Sequence, residues 1–186
     1  MSIITISSLT KTYDGGGIEV KALRGIDLAI GRGEFTAIAG PSGSGKTTLL
    51  NLIGGLDHPT SGALSVAGSD LNHMTPRQLS DIRLNKIGFI FQAYNLIPVL
   101  SALENVEYIL LLQGVKKNER RDRSRRILEE VGLGNEINRL PKELSGGQQQ
   151  RVAVARAIVS EPELVLADEP TANLDQKTGS SLLDLM

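Results

Sequence analysis

One glycine-rich segment constrains the fold of this chain more than any other. It consists of Gly40, Pro41, Ser42, Gly43, Ser44, Gly45, Lys46 and Thr47. Glycines let backbone amides converge on phosphate oxygens, and the N-terminus of a following helix adds partial positive charge. In such a loop Lys46 can reach the β- and γ-phosphates, and the Thr47 hydroxyl can bind Mg²⁺. The segment, with Thr48 after it, predicts a site for nucleotide phosphates; the alternative is an ordinary glycine-rich turn.

The apolar pattern around this loop predicts an α/β fold. Short β-branched runs predict strands at residues 3–6, 22–30, 35–39, 63–67, 87–91 and 164–167. Helical patterns cover residues 45–53, 76–85, 104–113, 118–131 and 145–159, and another helix begins at Gln176. Strands alternating with helices imply a mostly parallel sheet covered on both faces. We expect residues 1–186 to form one domain, with a helical lobe at about residues 95–160.

Composition restricts the compartment and the partners. The net charge is −1 and there is no cysteine, which excludes disulfides and thiolate zinc sites. Because the net charge is close to zero, the composition does not indicate a polyanion as partner, and we expect no nucleic-acid partner. The N-terminus lacks the features of a signal peptide. The most apolar stretch, residues 96–112, is interrupted by polar residues and is too short to span a bilayer. We expect a cytoplasmic protein whose membrane role, if any, needs a separate partner.

Two acids follow the last predicted strand. Residues 164–167 are apolar, and Asp168 and Glu169 come directly after them. Because parallel sheets present ligands at the carboxyl ends of their strands, we expect both acids beside the phosphate loop. Asp168 is predicted to hold Mg²⁺, directly or through water, and Glu169 to orient and polarise the attacking water. Alone, such a pair would more often be a strand end that meets a turn.

A second glycine-rich segment lies far downstream. We call it the signature segment, and it consists of Leu144, Ser145, Gly146, Gly147 and Gln148. Its spacing of serine and glutamine is that of a capping box, so it predicts an ordinary helix start. A helix N-terminus with two glycines is also suited to an anion, and both interpretations can hold. Two phosphate-binding segments in one chain suggest a nucleotide held between two copies.

The order and spacing of these segments resemble the ATP-binding subunit of ATP-binding cassette (ABC) transporters over essentially the whole chain. The resemblance is carried by residues 40–47, Gln92 after an apolar strand, residues 144–151, residues 168–170 and residues 173–175. It implies a P-loop NTPase core, an N-terminal antiparallel β subdomain and a helical signature subdomain. Residues 95–98, 104–106 and 167–175 look most like the branch that serves lipoprotein release, macrolide export and antimicrobial-peptide export or resistance.

The resemblance also implies roles for individual residues. Two copies would close head to tail as a homodimer, with Ser145 and Gly147 of one copy on the γ-phosphate of ATP bound to the other. Tyr13 would stack on adenine, although a buried core tyrosine is the alternative. Gln92 would sense the γ-phosphate, Mg²⁺ or the attacking water. Asp175 would lie at the dimer interface, although it could instead cap the following helix.

The segment after Gln92 resembles the docking site for a transmembrane permease. We call residues 93–103 the docking loop. The alternative is that its apolar side chains pack the helical lobe onto the sheet. The basic run at residues 116–126 carries seven positive charges and two acids, and a solvated helix face is favoured there over a lipid or RNA surface. The resemblance places the protein on the inner face of the cell membrane, held there by the permease.

The function expected from this resemblance is ATP binding and hydrolysis that power a membrane transporter, with export or extraction as the direction. The resemblance implies a further helix, a strand and a switch histidine after the Asp175 segment, but this sequence stops at Met186, so we expect a chain truncated before that histidine. His58 and His73 both precede Gln92, and neither can take the place of the switch histidine. We therefore expect a marginally stable domain that binds ATP and hydrolyses it poorly. The alternatives are a nucleotide-dependent clamp or truncated remnant with little turnover, and a soluble ABC ATPase that acts on ribosomes or DNA.

Overall fold

The computed structural model describes residues 1–172 and residue 179. The chain forms two compact units, residues 1–83 and residues 84–186. The predictions for Asp175 and for a helix from Gln176 onward concern residues outside the described part. Within the described ranges, no helix is both long enough and apolar enough to cross a membrane.

The first unit is built on a four-stranded antiparallel sheet with the strand order β2-β1-β3-β4. Its strands are β1 (Ser2–Asp14), β2 (Glu19–Gly31), β3 (Ser61–Val66) and β4 (Ser69–Asp70), and its helices are α1 (Lys46–Ile53) and α2 (Pro76–Lys86), the last of which runs on into the second unit. Strands β1 and β2 are joined by a tight turn in which Gly16 and Gly17 have φ angles of 71° and 98°. Such angles favour glycine, which explains the glycine run at this turn.

The second unit combines two parallel strands with a helical lobe. Its elements are β5 (Ile87–Ile90), α3 (Ala102–Leu112), α4 (Lys117–Glu130), a short 3₁₀ helix (Pro141–Glu143), α5 (Gly146–Ile158) and β6 (Leu164–Ala167). Strands β5 and β6 pair in parallel, with Ile90 opposite Ala167. The helices share one apolar cluster, to which Leu110, Leu128 and Val152 contribute fully buried side chains. This cluster forms the core of the lobe.

Helix α5 lies directly against strand β5. Ile90, Val154 and Ala157 form a small buried cluster between the two elements. A Cβ atom added to Gly88 would collide with the carbonyl oxygen of Ala157. The backbones therefore approach so closely that only glycine fits at position 88.

The α/β class is confirmed, with an antiparallel N-terminal sheet, parallel strands and a helical lobe. Within the described residues, parallel pairing is limited to β5 and β6. The prediction of a strand at residues 35–39 is wrong, because residues 34–40 have no regular structure. Phe35 and Ile38 are 74% and 38% exposed. A strand needs a neighbour to pair with its backbone groups, and no pairing described for either sheet includes this segment.

Candidate functional site

The phosphate loop, residues 40–47, contains a glycine at the start of α1 that no other residue could replace without strain. Gly45 precedes α1 and has a left-handed φ of 93°. A Cβ atom at this position would lie 2.6 Å from the carbonyl oxygen of Ala22 and 2.9 Å from Cδ2 of Leu23. Gly45 also provides no side-chain cap for the helix. Because the first amides of a helix lack intrahelical acceptors, this helix start is suited to an anion.

The side chain of Lys46 lies back over the phosphate loop. Its Nζ donates hydrogen bonds to the carbonyl oxygens of Gly40, at 2.8 Å, and of Pro41, at 3.0 Å. The loop itself is tightened by a hydrogen bond from the Ser44 amide to the Pro41 carbonyl oxygen at 3.2 Å. Residues 40–44 are exposed, as is Thr47, so a soluble ligand can reach this face of the loop. An ammonium group held among exposed amides provides the charge and donors that phosphates need.

Tyr13 lies near the end of β1 and is 40% exposed. The alternative of a buried core tyrosine is therefore wrong. Its hydroxyl donates a hydrogen bond to Oδ2 of Asp57 at 2.9 Å. On β2, Val20 pairs with Tyr13 and is 55% exposed, so an apolar side chain flanks the ring.

Strand β2 connects this tyrosine to the phosphate loop. Val20 pairs with Tyr13, and two residues along the strand the Ala22 carbonyl oxygen lies against Gly45. Two residues of a strand span about 7 Å. Tyr13, the candidate residue for stacking on a base, and the candidate phosphate loop are therefore neighbours within the first unit.

Sequence reasoning missed Lys11 and Asp57. Nζ of Lys11 lies 4.7 Å from the centroid of the Tyr13 ring and 2.7 Å from Oδ1 of Asp57. Burial raises the pKa of Asp57, but hydrogen bonds from Lys11, the His58 amide and the Tyr13 hydroxyl outweigh it, so the pKa is below its usual value. Lys11 lies two residues before Tyr13, so strand alternation could have identified it. Asp57 is distant in sequence and gave no such signal.

Gln92 and the acidic pair come from the same end of the parallel strands. β5 ends two residues before Gln92, and β6 ends immediately before Asp168. The Asp168 amide donates to the Ile90 carbonyl oxygen at 2.9 Å and so extends the ladder. Glu169 is exposed and has an unusual left-handed φ of 47°. Strained backbone of this kind is common at functional sites.

The signature segment forms the start of α5 as a complete capping box. The Gln148 amide donates to Oγ of Ser145 at 3.3 Å, and the Ser145 amide donates to Oε1 of Gln148 at 2.9 Å. The prediction of a capping box is therefore confirmed. Helix geometry leaves the amides of Gly146 and Gly147 without intrahelical acceptors. The segment thus keeps donors that an anion could use.

The docking loop is held from both ends by side chains of the lobe. The side chain of Asn105 is fully buried and bonds with the backbone of Ile97, Leu100 and Ser101. Val99 lies between Ile97 and Leu100 and is 80% exposed.

The second residue that anchors the docking loop, after Asn105, is Arg156. It donates to the carbonyl oxygens of Tyr94, at 2.9 Å, and Asn95. Its burial lowers the pKa of the guanidinium group. Leu96 packs on the core of the lobe. The loop therefore contacts the lobe through Leu96 and leaves an apolar tip exposed at Val99, while packing of the lobe onto the sheet stays a prediction.

The basic run lies largely on α4, where two of its arginines bond within the lobe. Nε of Arg120 lies 3.4 Å from Oε2 of Glu107 on α3. Arg123 donates to the Val159 carbonyl oxygen at 2.8 Å. Arg121, Arg125 and Arg126 are exposed. This arrangement agrees with a solvated helix face that is tied to the lobe at two points.

Comparison with known families decides what this arrangement belongs to. The family model described as ABC transporter matches residues 23–172. The chain belongs to the ABC transporter family. The match includes the phosphate loop, Gln92, the signature segment, Asp168 and Glu169, and Tyr13 lies before it.

Relatives of this ABC transporter domain cover nearly all of its length. It is 46% identical to the lipoprotein-releasing system ATP-binding protein LolD of Alcanivorax borkumensis, over 99% of this chain and 81% of that protein. It is 47% identical to the macrolide export ATP-binding/permease protein MacB of Hyphomonas neptunium, over 99% of this chain and 28% of that protein. The ATP-binding cassette MJ0796, solved as a dimer in a post-hydrolysis state bound to ADP and Pi, matches 98% of this chain and 80% of its own with 46% identity and a TM-score of 0.91.

Proposed function

We propose that this ABC transporter domain binds ATP with Mg²⁺ and hydrolyses it to power a membrane transporter of the lipoprotein-release or macrolide-export branch. The proposal depends on one observation: Tyr13 and the phosphate loop lie close together along β2. An exposed aromatic ring beside an exposed glycine loop offers a nucleotide one surface for its base and another for its phosphates. The similarity to LolD and MacB supports the choice of branch.

The residues proposed to bind Mg²⁺ carry oxygen donors. The Thr47 hydroxyl and the Asp168 carboxylate are oxygen ligands of the kind that Mg²⁺ prefers, and Gln92 supplies a further amide oxygen. When bound, Mg²⁺ would neutralise charge on the phosphate oxygens. Lys46 would donate to the β- and γ-phosphates, and Glu169 would accept a proton from the attacking water and orient it.

Dimerisation would complete this site. The Gly146 and Gly147 amides at the start of α5 would donate to the γ-phosphate held by the partner copy, with the Ser145 hydroxyl beside them. The dimeric MJ0796 cassette supports this assembly. We further propose that Asp175 lies at the dimer interface.

The permease would contact the docking loop at Val99, which the anchors Asn105 and Arg156 leave exposed. This partner would keep the domain at the cytoplasmic face of the membrane. Val99→Asp should abolish co-purification with the transmembrane partner. Ile18→Asp, at an equally accessible apolar residue in the first unit, should leave it intact. Equal loss in both variants would argue against a specific contact at Val99.

The central test is steady-state phosphate release with Mg²⁺ and ATP, measured beside ATP binding. Glu169→Gln should keep ATP binding and lose turnover, because the amide cannot accept the proton from water. Lys46→Ala should lose binding. Unchanged turnover in Glu169→Gln would exclude Glu169 as the principal group that activates water. Binding without turnover in the unmodified chain would favour a nucleotide-dependent clamp over an ATPase.

A further inference from the structure

Asp57 holds two side chains of β1 at once. Its Oδ1 accepts a hydrogen bond from Nζ of Lys11 at 2.7 Å, and its Oδ2 accepts one from the Tyr13 hydroxyl at 2.9 Å. The same carboxylate accepts a bond from the His58 amide at 2.7 Å. Because each oxygen has a different partner, the carboxylate is fixed in orientation and fixes both side chains in turn.

Lys11 covers one face of the Tyr13 ring. Its ammonium lies 4.7 Å from the ring centroid, within the range of a cation–π contact. It also donates to the His58 carbonyl oxygen at 2.8 Å, and its side chain is only 12% exposed. The ammonium is therefore held on one side of the ring by two oxygen acceptors. Tyr13 as a whole residue nevertheless remains 40% exposed, so part of its surface is left for a ligand.

These contacts affect how a base can stack on the Tyr13 ring. A tyrosine that is free to rotate loses side-chain freedom when a base stacks on it, and that loss weakens binding. The hydrogen bond to Asp57 removes this freedom in advance. The cation behind the ring also draws electron density away from the opposite face, which favours contact with an electron-rich base.

We infer that Asp57 and Lys11 are positioning residues for the base of the bound nucleotide. They hold Tyr13 so that a purine stacks on the ring face opposite the Lys11 ammonium. The inference rests on the proposed function, since it requires that the chain bind ATP. According to this inference, Asp57 and Lys11 affect how tightly the base binds and do not affect how tightly the phosphates bind.

The test compares the affinity for Mg-ATP with the affinity for magnesium tripolyphosphate, which has the phosphates and lacks the base. Both are measured by calorimetry on the full chain and on Asp57→Asn, Lys11→Met and Tyr13→Phe. Each variant should bind ATP about threefold to tenfold more weakly, and tripolyphosphate as the unmodified chain does. Tyr13→Phe keeps the ring and removes only the hydroxyl. Asp14→Asn makes the same charge change at an exposed residue that bonds only within the turn, and it should change neither affinity.

A double variant separates positioning from independent effects. Asp57→Asn combined with Tyr13→Phe should lose less ATP affinity than the two single losses added together, because both act on the same hydrogen bond: Asp57→Asn removes its charged acceptor and Tyr13→Phe removes its donor. Strictly additive losses, or unchanged ATP affinity in Asp57→Asn and Tyr13→Phe, would overturn the inference.

Three further outcomes would also overturn it and point to different causes. Equal loss of ATP and tripolyphosphate affinity would mean that Asp57 supports the unit as a whole. If the unmodified chain bound tripolyphosphate and ATP equally well, the base would make no contact, and the phosphate site of the proposed function would still stand. If it bound neither, the proposed function itself would fail. Melting temperatures of all variants identify any that are unfolded.

Discussion

The hydroxyl of Tyr94, in the docking loop, lies against the backbone of Gly146, at the start of α5. A Cβ atom added to Gly146 would be 2.8 Å from that hydroxyl oxygen. Arg156 donates to the Tyr94 carbonyl oxygen at 2.9 Å and so holds the backbone from which this side chain projects. The docking loop and the signature segment are therefore in direct contact within the second unit.

The first prediction tests this contact. Gly146→Ala should lower the free energy of unfolding by about 1 kcal/mol, because the new methyl group displaces the Tyr94 ring. In a Tyr94→Phe background, which lacks the hydroxyl oxygen, the same change should cost less. A double-mutant cycle measured by urea unfolding should give a coupling of about 0.5–1.5 kcal/mol. Zero coupling would mean that the loop moves aside without cost.

The second prediction concerns the buried anchor of the docking loop. Asn105→Ala removes a side chain that bonds to three backbone carbonyl oxygens and to the Ile97 amide. It should destabilise the protein by about 2–4 kcal/mol, since these buried groups would lose their partners. Gln113→Ala is the matched control, because Gln113 makes a single bond to the Leu84 carbonyl oxygen. Chemical denaturation should show a cost for Gln113→Ala below about 1.5 kcal/mol.

The third prediction compares two glycines of the phosphate loop. Both have positive φ, but a Cβ atom at Gly45 would meet the Ala22 carbonyl oxygen, while one at Gly43 would meet nothing within 4 Å. Gly45→Ala should therefore cost more than about 2 kcal/mol and abolish ATP binding, while Gly43→Ala should cost about 1 kcal/mol. Thermal unfolding and nucleotide titration measure both. Similar costs would show that backbone angle, and not the close approach, governs this loop.

The fourth prediction is a pH dependence caused by Asp57. Its pKa is lowered in the folded protein, so its ionised form stabilises the fold at neutral pH, and this contribution is lost as the pH falls through the lowered pKa. The pair with Lys11 is partly exposed, so the contribution is under about 1 kcal/mol. Asp57→Asn should be less stable than the unmodified chain at about pH 7, and the difference should shrink as the pH falls below the usual aspartate range and through the lowered pKa. In a Lys11→Met background the difference at neutral pH should shrink.

Local signals predicted the elements that depend on local contacts. The start of α5 was predicted at Ser145 because the capping box lies within four residues. The start of α3 was placed two residues late, although Ser101 and Glu104 form an equally clear capping box. Both cases follow from hydrogen bonds between near neighbours in sequence.

Contacts between distant segments could not be predicted in this way. Residues 35–39 have the pattern of a strand, but a strand forms only where a neighbour pairs with it, and the pattern carries no information about that neighbour. The same holds for the candidate site, where Tyr13 was predicted and Asp57, 44 residues away, was not. The phosphate loop and the acidic pair could be predicted from the sequence because their chemistry depends on short segments of fixed spacing, and their roles stay predictions.

The glycine at position 88 has a mechanical consequence. Because this position has no side chain, the backbone of β5 lies close against the backbone of α5 near Ala157. Any larger residue at position 88 would push α5 away from β5. The strand ends two residues before Gln92. A substitution at position 88 would thus disturb the strand that leads to Gln92 and, through α5, the helix that begins at the signature segment.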